Sequence, residues 1–177
     1  MRTRCSLVRL CRDERGVALV EFAYVLPILL LMYLGGYQLT DALSCNRKVT
    51  ITARVVADLT TQNASVTTSQ VNTILNASST VLAPYSVSNA LVRVTELTTD
   101  SNGNTTVTWS MDNRGGGLVA NTSYVLPTKI KAVSSSIIMS EVAYSYKPIV
   151  TFSVIQPLTL SDKIFMYPRV SNSVDKT

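Results

Sequence analysis

Gly16, Val17 and Glu21 stand at a spacing that could do chemistry. Hydrolysis of the Gly16–Val17 peptide bond would give Val17 a free ammonium group. Glu21 would then be the fifth residue of the shortened chain. It is also the one charge inside the apolar run 17–37. A charge within a membrane helix costs about 2.5–3.5 kcal/mol on insertion scales, so a retained one is expected to have a partner. The ammonium of a neighbouring copy, packed alongside in lipid, would be such a partner. Low dielectric strengthens that attraction.

The elements that must position these groups follow from the same stretch. As a helix, residues 17–37 span about 30 Å, enough to cross the hydrocarbon layer. Before the run lie Arg2, Arg4, Arg9, Arg12 and Arg15 against Asp13 and Glu14, a net of +3 out of +5 for all 177 residues. Residues 1–16 therefore read as a basic leader. The positive-inside rule puts that leader in the cytoplasm and the bulk of the chain beyond the membrane, which in a bacterium is the periplasm. The basic balance belongs mainly to this arm. No basic stripe with interleaved aromatics marks a nucleic-acid partner.

Beyond Tyr37 the helical period continues through Leu39, Ala42, Leu43, Val49, Ala53, Val56 and Ala57. This predicts one long helix over 17–60, a membrane span with an amphipathic extension. Pro27 and the Gly35-Gly36 pair should loosen it locally. Residues 60–68 are polar and read as a linker. Residues 69–82 read as a second helix with Ser69 as its N-cap, stopped by Pro84. The second block, 61–84, is thus linker and helix.

From 85 to 170 the signal is that of strands. Residues 91–97 are rich in branched side chains and alternate imperfectly. Residues 100–104 form a turn cluster. Over 105–112 the alternation is clean, with Val107, Trp109 and Met111 expected on one face. Strands are also expected over 136–146, with Val142, Tyr144 and Tyr146 together, and over 158–167. The expected fold is α+β: a long membrane helix, then a small head with an antiparallel sheet and a second helix. Residues 171–177 read as a frayed polar tail.

Other motifs reduce to structure. The chain has no histidine, and no nucleophile sits with a base, so no catalytic residue, metal ligand, cofactor or small-molecule substrate is expected. Cys5 and Cys11 lack further zinc ligands nearby. Cys45 reads as a helix-packing residue, with pairing between chains as the alternative. Residues 42–45 depart from a lipoprotein signal at Asp41 and Leu43. The 100–104 segment lacks the later ligands of a calcium loop. Gly115-Gly116-Gly117 reads as a loop.

Two stretches carry a family resemblance. Residues 15–27, from Arg15-Gly16 through Glu21-Phe22 to Leu26-Pro27, resemble the TadE/TadG-like proteins of Tad (tight adherence) pili. Residues 158–169, a Leu-Ser-Asp segment followed by Phe165-Met166-Tyr167-Pro168-Arg169, resemble the end of many TadE-like chains. The resemblance implies a minor pilin or pseudopilin in a single-pass inner-membrane setting. It implies a prepilin peptidase that cuts after Gly16, leaving Val17 first, and assembly roles for Glu21 and Phe22. Its implied partners are the membrane, other pilins and pseudopilins, and the pilus assembly platform. The chain lacks the von Willebrand-type domain of long TadG proteins and is longer than the major Flp pilins. The alternatives are a signal-anchored periplasmic binding module, in which Gly16 and Glu21 are replaceable, and a membrane-anchored enzyme.

Overall fold

The computed structural model describes residues 15–148 and 157–177. The readings placed on residues 1–14, including Cys5 and Cys11, lie outside the described residues. The chain divides into two units, Met1–Asp41 and Ala42–Thr177.

The first unit holds the apolar part of helix α1 (Arg15–Thr61), which runs through Pro27 without a break. Its large apolar side chains are exposed, from Leu26 at 37% to Tyr24 at 75%. The stretch is long and apolar enough to cross a membrane.

The second unit is an α+β head. Its elements are the remainder of α1, β1 (Ser65–Val66), α2 (Thr68–Leu82), a 3-10 turn (Val87–Asn89), β2 (Ala90–Thr99), β3 (Thr105–Asp112), β4 (Ser135–Tyr146), β5 (Leu158–Met166) and β6 (Asp175–Lys176). The main sheet is antiparallel in the order β3-β2-β4-β5, and β1 pairs in parallel with β6.

The head core forms on both faces of the main sheet. On one face, Cys45, Val49, Ala53 and Val56 of α1 and Val71, Leu75 and Leu82 of α2 pack with Val92, Val94, Ile138, Val142, Tyr144 and Tyr146. Cys45 is therefore a packing residue, as its spacing predicts. Tyr144 meets Tyr85 edge to face, with ring centroids 6.0 Å apart. On the other face, Leu97, Ile137 and Met139 are covered by Leu126, with Leu118, Tyr124 and Ile130 beside it, all from the long β3–β4 connection. Burial on both sides explains the imperfect alternation of β2. A strand alternates clearly only where one face meets water.

Four local expectations change. Val107 does not share a face with Trp109. Glu96 lies opposite Trp109 and Leu97 opposite Val107, so Thr108 is an extra residue, a β-bulge that rotates the strand. Val107 joins Leu97 and Ile137, while Trp109 joins the helix-side core. The N-cap of α2 is Thr67, not Ser69. Its hydroxyl accepts from the Gln70 amide, and the Gln70 side chain accepts from the Thr67 amide. This capping box satisfies two otherwise orphaned donors. The polar 60–68 stretch is not all linker, because Thr60 and Thr61 close α1 and are buried. Finally, residues 171–177 are not frayed. Val174 is fully buried and β6 is paired.

The two turn clusters are ordered by carboxylates. Asp100 Oδ1 accepts from the Asn104 amide at 2.7 Å, and Gly103 takes a left-handed φ of 81°. That amide holds the Asp100 carboxyl below the usual aspartate range. At the glycine run, Asp112 Oδ1 accepts from the amides of Arg114 and Gly116. Gly117 lies so close to the Ser110 carbonyl that an added Cβ would sit 2.5 Å from its oxygen.

Candidate functional site

Gly16, Val17, Glu21 and Phe22 all lie in the first two turns of α1. The helix can form here because 17–26 holds neither proline nor glycine, and two Ala and two Leu offset the weaker propensity of three Val. An added Cβ at Gly16 would meet nothing within 4 Å, so the position is sterically open. Val17 is 58% and Phe22 57% exposed, and Glu21 is exposed with them.

Val17 and Glu21 are four residues apart and share a helix face, with Cβ atoms about 6 Å apart for such a pair. Helical side chains tilt toward the N-terminus, so Glu21 leans over the turn that carries Val17. A cut after Gly16 would thus place an ammonium and a carboxylate on one edge of an apolar cylinder. The free N–H groups at that end add partial positive charge, which also favours an acid nearby. Among the described residues, no ion pair reaches Glu21. The group is presented outward from the apolar helix.

Farther along, α1 changes surroundings. Leu39 and Leu43, expected on the packed stripe, are 64% and 57% exposed, whereas Val49, Ala53, Val56 and Ala57 are fully buried. The buried stripe begins with Ala42 and Cys45.

Three polar contacts tie this half of α1 to the segment 158–169. Thr50 Oγ1 donates to Asp162 Oδ2 at 2.6 Å. The Arg169 guanidinium meets Asp58 Oδ1 at 2.6 Å, and the Arg169 amide donates to the Thr61 carbonyl at 3.1 Å. Of the two stretches singled out by resemblance, the second, 158–169, is therefore anchored on the head half of α1. Sequence reading missed this pairing. Its available signal was the recurrence of polar residues, Thr50 and Asp58, beside the apolar stripe of α1.

A second network on the sheet is also new. Glu96 is fully buried, and its Oε1 accepts from Ser136 Oγ at 2.6 Å and from the Val174 amide at 2.8 Å. Trp109 Nε1 donates to the Val174 carbonyl at 2.8 Å. Both amide groups of one residue are thus held by side chains. On the opposite face, Arg93 pairs with Glu141 at 3.3 Å and Asp112 at 3.7 Å, and Lys163 reaches Glu141 at 3.1 Å. The Glu141 contact pushes the Lys163 ammonium above the usual lysine range, against a smaller opposing effect of burial.

Among the described residues, no group of histidine, cysteine, aspartate and glutamate side chains is placed to hold a metal ion. One opening on the head, of about 300 Å³, is bounded by Ser134, Ser136, Tyr167, Pro168, Ser171 and Asn172.

Compared with known families, residues 16–58 match the family model described as TadE-like protein. No curated protein and no solved structure gives a significant match. The matched stretch begins at Gly16, includes Glu21 and Phe22, and ends at the aspartate that holds Arg169. Over residues 16–58, about a quarter of its length, the chain is similar to TadE-like proteins.

Proposed function

We propose that this protein is a minor pilin, or pseudopilin, acting in assembly of a Tad (Flp-type) pilus. The carrying observation is the TadE-like match over a helix whose run 17–37 exposes large apolar side chains and its one carboxylate, Glu21. Exposed apolar surface of this extent needs lipid or other apolar helices around it. The role is structural, not enzymatic.

On this reading the chain crosses the bacterial inner membrane once, with the leader in the cytoplasm and the head in the periplasm. A prepilin peptidase removes residues 1–16. The Val17 ammonium of one subunit then pairs with Glu21 of another, which offsets the cost of holding either charge in lipid. Phe22 packs beside the pair. Other pilins, pseudopilins and the assembly platform are the partners.

The test is the intact mass of membrane-extracted, C-terminally tagged protein, made with and without the peptidase. Peptidase-dependent loss of residues 1–16, leaving Val17 first, is expected. Full-length protein in both samples would sink the processing step and favour a simple signal anchor. Glu21→Ala is expected to insert normally yet abolish piliation, scored by electron microscopy and sheared-pilus yield. Normal pili in that strain would refute the ion pair.

A further inference from the structure

The cavity of about 300 Å³ between the start of β4 and the segment after β5 is built from groups whose hydrogen-bonding roles are already fixed. Ser136 Oγ donates to Glu96 Oε1 at 2.6 Å. Ser135 Oγ donates to the Ala132 carbonyl at 2.7 Å, and the Tyr167 hydroxyl donates to the Ile130 carbonyl at 2.9 Å. Ser171 Oγ donates to the Ser173 carbonyl. A hydroxyl has one proton and two lone pairs. With its proton given to a carboxylate or a carbonyl, each of these four lining groups can only accept.

Glu96 strengthens that accepting character. It is fully buried, and its Oε2 has no hydrogen-bond partner among the described residues. A buried carboxylate oxygen left unmet is uncommon. Its field acts at low dielectric on Ser136, which both bonds Glu96 and lines the cavity. The remaining lining differs in kind. Ser134 and Asn172 are exposed, and a hydroxyl or an amide can donate as well as accept. Ser134 also takes a left-handed φ of 53°, a backbone state that costs energy in a serine and gathers where ligands are held. Tyr167 is 51% exposed, and the face of its ring carries negative potential.

We propose that this cavity is a carbohydrate site that takes one sugar ring. Its volume lies at the lower end of the range for ligand sites, which suits a single ring and not a chain of them. The hydroxyls of a sugar donate to the four fixed acceptors. Its oxygens accept from Asn172 and Ser134, and its C–H face packs on Tyr167. A carboxylate or phosphate fits poorly, because it brings no donors and would face Glu96. An ammonium ion brings donors but nothing for Asn172 to donate to, and Lys129 and Lys131 flank the residue that anchors Tyr167. The proposal does not rest on the pilin reading.

The test uses full-length protein extracted in lauryldimethylamine oxide, since glucoside and maltoside detergents are themselves sugars. Methyl glycosides of glucose, galactose, mannose and N-acetylglucosamine are presented at millimolar concentration and read by saturation-transfer NMR. Transfer to at least one glycoside is expected. Asn172→Ala should weaken that binding about 3–10-fold, the loss of one hydrogen bond. Asn172→Trp, which fills the cavity, should abolish it. Both variants should keep the thermal transition of the head, because Asn172 is exposed. Absence of transfer to all four glycosides, or equal transfer to the Asn172→Trp protein, would overturn the proposal. A response to methylammonium chloride with none to the glycosides would overturn it as well, in favour of a cation. The readout is blind to leader cleavage, so a failure here leaves the pilin reading standing.

Discussion

The two halves of α1 are one continuous helix built for two solvents. From Val17 to Tyr37 the large apolar side chains point outward on every side. From Ala42 onward a single stripe is buried and the opposite side carries Arg47 and Arg54. The first half has no internal partner for its apolar surface, so its stability is a matter of environment. The second half obtains its environment from the sheet. A helix apolar all round and a helix apolar on one stripe have the same backbone and opposite requirements.

A matched pair of charges breaks this comparison most sharply. Val56→Asp buries an unpaired carboxylate in the head and is expected to cost about 3–5 kcal/mol, the upper end of what single substitutions do. Thermal melting of detergent-extracted protein should show the head transition lost or lowered by many degrees. Leu30→Asp should leave that transition unchanged and instead reduce membrane insertion, read by carbonate extraction. If both substitutions had the same effect on the head, the division of labour within α1 would be wrong.

A smaller effect separates the two halves by salt. Asp58→Ala or Arg169→Ala removes a partly exposed ion pair, worth about 0.2–1 kcal/mol. A double-mutant cycle should return a coupling of that size, falling as ionic strength rises. No coupling would mean that the segment after β5 is held by its main-chain contacts and Val174 alone.

The smallest expected effect concerns pH. Lys163 is raised above its ordinary 10.5 mainly by its bond to Glu141. Its contribution is fully present below the unfolded value and is lost as pH rises through the folded one. Head stability should therefore decline at strongly alkaline pH, and Lys163→Met should flatten that limb modestly, since the group is about half exposed. An unchanged alkaline profile would show that the Glu141 contact carries no net stability.

Legibility followed the same division. The apolar run, Glu21 and the stripe of α1 could be read because period and length suffice to specify them. β4 was readable beyond Ser140, where burial becomes one-sided, and the 100–104 turn declared itself by composition. The bulge at Thr108 left no mark, since the sequence alternates straight through it and only the partner strand reveals the extra residue. The Thr67 cap is written as a Thr-x-x-Gln pattern, but Ser69, two residues on, offers a competing hydroxyl. The anchorage of residues 169–177 was hidden for a deeper reason. Its hooks are carbonyls and amides, which every residue possesses, plus one valine in a polar stretch. At the candidate site, the place of Glu21 near the start of an exposed apolar helix could be read from the run itself, and the partner proposed for its carboxylate lies on a second chain.

The contacts that join the last third of the chain to earlier elements also set a timetable. Thr50 and Asp162 are 112 residues apart, Glu96 and Val174 are 78 apart, and Trp109 and Val174 are 65 apart. Closing such loops is an entropic cost met before the contacts form, and chains rich in distant pairings fold slowly. The apolar half of α1 needs only hydrogen bonds four residues long, which form in microseconds. The span can therefore be a finished helix while the head is still an open chain, its stripe of Cys45, Val49 and Val56 waiting for strands that arrive more than 30 residues later.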